Sequence, residues 1–127
     1  KRVSLPNMKP QHAVETIIRR IFVVHYQPQH QVSEINWSGD VINVYSGQQT
    51  LNSPYYLSFD SNDRLFVANC GSHQVLLLNS SLQLERVLLN EEHQLAQCPW
   101  RLCYIEQKDQ LVVGSSGSKC VQVFIVR

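Results

Sequence analysis

The 127-residue sequence predicts an all-β fold of three repeats, each a four-stranded antiparallel blade of a β-propeller. Three observations predict it. Prolines recur at Pro10, Pro54 and Pro99, spaced 44 and then 45 residues apart. After each comes the same succession of short runs rich in Val, Leu, Ile and Phe, divided by turn-forming residues. Two shorter strings recur at a spacing of 43: His30-Gln31-Val32 as His73-Gln74-Val75, and Asn36-Trp37-Ser38 as Asn79-Ser80-Ser81. One insertion in a turn accounts for the difference from 44.

The middle unit, residues 54–97, is the clearest. Residues 55–60 form a short mixed run, and Ser61-Asn62-Asp63 turns the chain. Leu65-Phe66-Val67-Ala68 follows as a buried strand, 69–72 as a second turn, and 74–78 as another apolar strand. Asn79-Ser80-Ser81 then leads into a fourth run over 82–89. The first unit, 10–53, aligns through residues 21–24 and 32–35; the third, 98–127, aligns through Leu102, 111–114 and 121–124. A helical solenoid of this period would need apolar residues at i, i+3, i+4 and i+7 over a dozen positions. Only 83–96 passes that test, and a helix there is the alternative reading.

Bulk properties narrow the function. A formal net charge of +1 makes nucleic acid an unlikely principal partner and gives no drive towards an anionic membrane. No apolar run approaches the roughly 18 residues of a membrane span. The chain opens at Lys1 with neither an initiator Met nor a signal-peptide core, so it reads as a processed product or an excised piece.

The run from Ser53 to Leu78, SPYYLSFDSNDRLFVANCGSHQVLLL, resembles an NHL repeat. Pro54, Leu57, Asp60, Leu65, Val67, Ala68, Asn69, Gln74 and Val75 sit on that family's pattern. The last unit resembles the closing blade of such propellers, with Pro99-Trp100-Arg101-Leu102 at its start. The first is more diverged, with Glu15-Thr16 and His25-Tyr26 at positions where the pattern has other residues. The resemblance implies a propeller of about six blades whose members bind proteins, RNA or other ligands, few of them as enzymes.

Three blades are half of such a ring. The third unit ends after its third strand and lacks an outer one, while Arg2-Val3-Ser4-Leu5 within residues 1–9 is β-compatible. The expectation is that a second propeller half, a copy of this chain or a companion subunit, completes the ring, with each N-terminal strand finishing a neighbour's blade.

In such a blade Cys70 lies in the turn between the second and third strands, and Cys98 in the loop leading to the next blade, so a Cys70–Cys98 disulfide is expected. Cys103 falls inside a strand and reads as a buried thiol. The sequons at Asn36 and Asn79 occupy equivalent turns on the opposite rim, which suits a secreted glycoprotein with both sites glycosylated.

Chemistry is sparse. GxSxG, HExxH, a phosphate-cradling glycine loop and paired acids are all missing, so no catalytic residue, cofactor or metal is assigned. The five histidines are read as loop residues, since repeat-equivalent His30 and His73 would stand on different blades. In NHL propellers ligands use the face built by the loops entering each first strand and by the second turns. On this chain that face would hold Gln11, His12, Tyr55, Tyr56, Trp100 and Arg101, with His25, Tyr26, Asn69, His73 and Lys119 from the turns. Such groups stack on rings and anchor polar ligands. The expected function is a non-catalytic, lectin-like protein binding a glycan or small ligand. The alternatives are a protein-interaction scaffold and, further off, an RNA-binding module or a metal-dependent propeller enzyme.

Overall fold

The computed structural model describes residues 2–5, 8–26, 29–45, 47 and 51–126. Among the described residues, eleven strands form three antiparallel sheets, each a simple meander. Sheet 1 holds β1 (Pro10–Glu15), β2 (Ile21–His25), β3 (Gln31–Ile35) and β4 (Val41–Tyr45). Sheet 2 holds β5 (Pro54–Phe59), β6 (Leu65–Asn69), β7 (Gln74–Leu78) and β8 (Leu84–Leu89). Sheet 3 has three strands, β9 (Pro99–Ile105), β10 (Gln110–Ser115) and β11 (Val121–Ile125), so the four-stranded pattern holds for two sheets and not throughout. The stretch 83–96 is not a helix: β8 is followed by one 3-10 turn over Glu91–His93, because the apolar residues before it pair with β7.

The sheets stack face to face, and that explains the burial of consecutive residues in their central strands. All five residues of β6 are buried. Side chains alternate across a strand. Leu65 and Val67 therefore join Phe22, Val24 and Val32 in a core between sheets 1 and 2. Phe66 and Ala68 join Leu102, Leu111 and Val113 in a second core between sheets 2 and 3. Removing a fully buried aromatic such as Phe66 from a core of this kind costs roughly 3–5 kcal/mol.

The two outer faces differ. Val23 and Ile35 on the free face of sheet 1 are buried, and Val3 and Leu5 line a cavity of about 360 Å³ with them. Residues 2–5 form no strand and lie against their own chain's first sheet. Gly39 permits this approach: its φ is +89°, and a Cβ there would stand 2.5 Å from the Ser4 carbonyl oxygen. The free face of sheet 3 is uncovered, with Val121, Val123 and Ile125 exposed by 65, 54 and 63 %. Cys103 shares that face and is exposed, which corrects the expected buried thiol. Strand alternation turns it away from the core that Leu102 enters.

At the far end of the sheets, where the first strands finish, one turn recurs four times. Thr16, Asn36, Asp60 and Asn79 each exchange backbone hydrogen bonds across the turn, and each side chain accepts a backbone N–H four residues on. A left-handed residue closes each turn: Arg19, Gly39, Asp63 and Leu82. Arg20 ties two sheets together here. It donates to both Glu34 oxygens at 2.8 and 3.0 Å, to Asp63 at 3.4 Å and to the Ser80 carbonyl at 2.6 Å.

Candidate ligand-binding face

The opposite, near end is where β1, β5 and β9 begin. These first strands lie side by side, joined by the Leu57 N–H donating to His12 Nδ1 at 3.1 Å and the Tyr104 N–H to Ser58 Oγ at 3.2 Å. Each carries the same irregularity. The ladder steps from Pro10 to His12, from Pro54 to Tyr56 and from Arg101 to Pro99, leaving Gln11, Tyr55 and Trp100 outside the pairing. A bulge re-aims its extra side chain. Three equivalent bulges thus put three side chains at one end of the molecule.

Two of these meet as aromatics. Tyr55 and Trp100 stand edge to face at 6.1 Å, and Tyr26 meets Tyr55 edge-on at 6.3 Å. His30 lies 5.1 Å from Tyr26, and these two line an open hollow of about 560 Å³ with Gln29 and Leu51. A second row runs beside the first. His12 stacks on Tyr56 at 3.7 Å, and the Arg101 guanidinium lies 5.2 Å from the Tyr56 ring and 5.6 Å from Trp100. Burial, helped by a hydrogen bond and charge interaction with Tyr55, pushes the Tyr26 phenol up to about 12. Burial, and then the Arg101 charge, holds His12 below the usual imidazole range. The arrangement offers ring faces, phenol hydroxyls and one guanidinium, a set suited to holding a ring-bearing polar ligand. Among the described residues no three His, Cys, Asp or Glu side chains converge as metal ligands.

Comparison with known proteins bears on the architecture. No family model and no curated protein matches the chain. Solved structures do. A protein of unknown function from Bacteroides caccae superposes with a TM-score of 0.69 at 18 % identity, over 89 % of this chain and 41 % of that one. The extracellular domain of a putative hybrid two-component system from B. thetaiotaomicron superposes with a TM-score of 0.65 at 16 % identity, over 98 % of this chain and 18 % of that one. The likeness is one of fold. The chain spans less than half the length of either structure.

Of the residues assigned from sequence, the structure brings Tyr26, Tyr55, Tyr56, Trp100 and Arg101 together. Others do not join that cluster. His25 ends β2 and is 1 % exposed, with Nε2 2.7 Å from Ser33 Oγ. Asn69 is buried and accepts the Asn52 N–H at 2.8 Å. Lys119 is exposed in the turn before β11. Asn36 and Asn79 hold the far turns through their Oδ1 atoms, both half-buried on the rim away from Tyr55.

His73 has a structural task that the repeat signalled. Its Nδ1 accepts the Cys98 N–H at 3.0 Å, and its counterpart His30 accepts the Ser53 N–H at 3.1 Å. Ser53 and Cys98 each precede a first-strand proline and are left-handed, with φ of 50° and 46°. Each histidine therefore pins a strained joint where the chain passes to the next sheet. Cys70 and Cys98 form the expected disulfide at the second joint.

Proposed function

We propose that the chain is part of an NHL-type β-propeller and acts as a non-catalytic binding module, taking a glycan or other small ring-bearing ligand on its near end. The observation that carries this reading is the threefold bulge, which sets Gln11, Tyr55 and Trp100 out of the ladder towards one another's end of the molecule. Aromatic side chains in edge-to-face contact there, with Trp100 40 % exposed, form a platform that a sugar ring can share. The disulfide, the two sequons and the likeness to an extracellular domain support a secreted setting.

A second reading, an assembly module, is favoured by the uncovered apolar face of sheet 3. The faces of sheets 1 and 2 in the same orientation are buried against a following sheet. A further sheet, from a second propeller half, would cover Val121, Val123 and Ile125 in the same way. The two readings are compatible, since the docking face and the near end are different surfaces.

A glycan array followed by calorimetry tests the first reading. Trp100→Ala and Tyr55→Ala are expected to weaken the captured glycan about tenfold each while leaving the thermal unfolding profile cooperative. Capture that is indifferent to both substitutions would exclude the near end as the site.

A further inference from the structure

We infer that the near end selects an acidic saccharide, its carboxylate or sulfate seated on Arg101 while its ring lies against Trp100 and Tyr55, an assignment that rests on the ring-binding reading above. The net charge of +1 conceals a separation of charge that the strand directions create. First strands run towards the far end and second strands return, so the turns after β1, β3, β5, β7 and β9 all lie at the far end. Of the chain's ten Asp and Glu residues, only Glu91 and Glu92, in the loop after β8, belong to the near end. The far-end acids include two that pair with Arg20 and two that pair with Arg64.

The near-end cations lack such partners. Lys9, Arg101 and Lys119 form no ion pair among the described residues. Arg101 is the one placed among the aromatics. It is exposed, and its Nη1 donates to the Trp100 carbonyl at 3.0 Å. A guanidinium carries five N–H donors in a planar fork, so most of them stay available for an oxyanion. Rings at 5.2 and 5.6 Å hold the guanidinium beside the aromatic row without neutralising it. Its field is felt in the site, since it helps to depress the neighbouring His12. A neutral sugar would leave this charge unanswered; a carboxylate or sulfate would accept a charge-assisted pair of hydrogen bonds.

The test is calorimetric titration of the intact chain with cellotriose, a galacturonic acid trisaccharide and a heparin-derived disaccharide. The expected result is binding of at least one acidic probe about tenfold or more tighter than cellotriose. Arg101→Gln should bring the acidic probes down to the neutral level, whereas Trp100→Ala should weaken all three and Lys108→Gln, at the far end, none. The carboxylate-only and sulfated probes tell which anion the site prefers. Equal binding of neutral and acidic probes, lost in Trp100→Ala, would overturn acid selection and leave the ring-binding reading intact. No binding of any probe would overturn both. A short oligouridylate that outcompetes the acidic probes with the same Arg101 dependence would replace the saccharide by a nucleic acid.

Discussion

Substituting Cys98 by serine opens the covalent loop that runs from the end of β6, through β7 and β8, to the start of β9. The bridged residues are 28 apart in sequence. Closing a loop of that length removes about 12 cal/mol/K from the entropy of the unfolded chain, so its loss costs about 3.5 kcal/mol at 25 °C. An unfolding entropy near 2 cal/mol/K per residue over this chain turns that cost into a fall in Tm of about 13 °C. Thermal unfolding followed by circular dichroism should show the same fall for Cys98→Ser, for Cys70→Ser and for the double variant. The wild type in reductant should match them. A fall below about 3 °C in all of these would refute the loop-closure argument, because it would mean that the unfolded chain gains little freedom. The histidines sharpen the test. His73→Ala releases the Cys98 N–H at a joint that the disulfide still holds, whereas His30→Ala releases the Ser53 N–H at a joint with no disulfide. His30→Ala should therefore cost more in the oxidised protein, by up to about 2 kcal/mol, and the difference should vanish on reduction.

Arg20→Ala leaves the Glu34 and Asp63 carboxylates without their shared cation; they are 11 and 7 % exposed. Denaturant unfolding should show a loss of about 2 kcal/mol, reduced from the fully buried case because Arg20 itself is 23 % exposed. His12 is held below its usual value of 6.5, chiefly by burial, so the unfolded chain binds a proton that the folded chain resists. Stability contributed here is fully present above about pH 6.5 and is lost as the pH falls below it; His12→Gln should flatten that part of the pH–stability curve. A curve unchanged by the substitution would assign the acid sensitivity to other groups. Val123→Asp places a charge on the uncovered face of sheet 3. If a second half docks there, the wild type sediments as two chains and the variant as one, and a wild type that remains a single chain at high concentration excludes a second copy as the partner.

The repeat made much of the fold legible. Pro10, Pro54 and Pro99 do start β1, β5 and β9, and the apolar runs between them do form strands. The link from Cys70 to Cys98 followed from placing those residues at neighbouring turns. Aromatic and basic residues at the starts of the first strands were read as one surface, and Tyr55, Tyr56, Trp100 and Arg101 do meet there. Other parts were not legible. His25, Asn69 and His73 were assigned to the same surface because they fall near its turns, yet each is engaged in holding the backbone or a buried neighbour. The histidine joints were visible as a repeated string but not as a hydrogen bond. Arg20, which binds groups 14, 43 and 60 residues away, gave no local signal.

The division has a physical cause. Strand periodicity and turn chemistry act over a few residues, so the amino-acid order alone determined three β units, their turns and their approximate bounds. Whether a side chain on a given strand face is buried depends on whether another sheet covers that face. Cys103 read as a buried thiol and is exposed for that reason alone, as are Val121 and Val123 on the same face. The bulges at Gln11, Tyr55 and Trp100 likewise arise from hydrogen-bond register between neighbouring strands, and the parting of acids from Arg101 arises from strand direction. Both are properties of paired strands in three dimensions, so only the tertiary structure decided them.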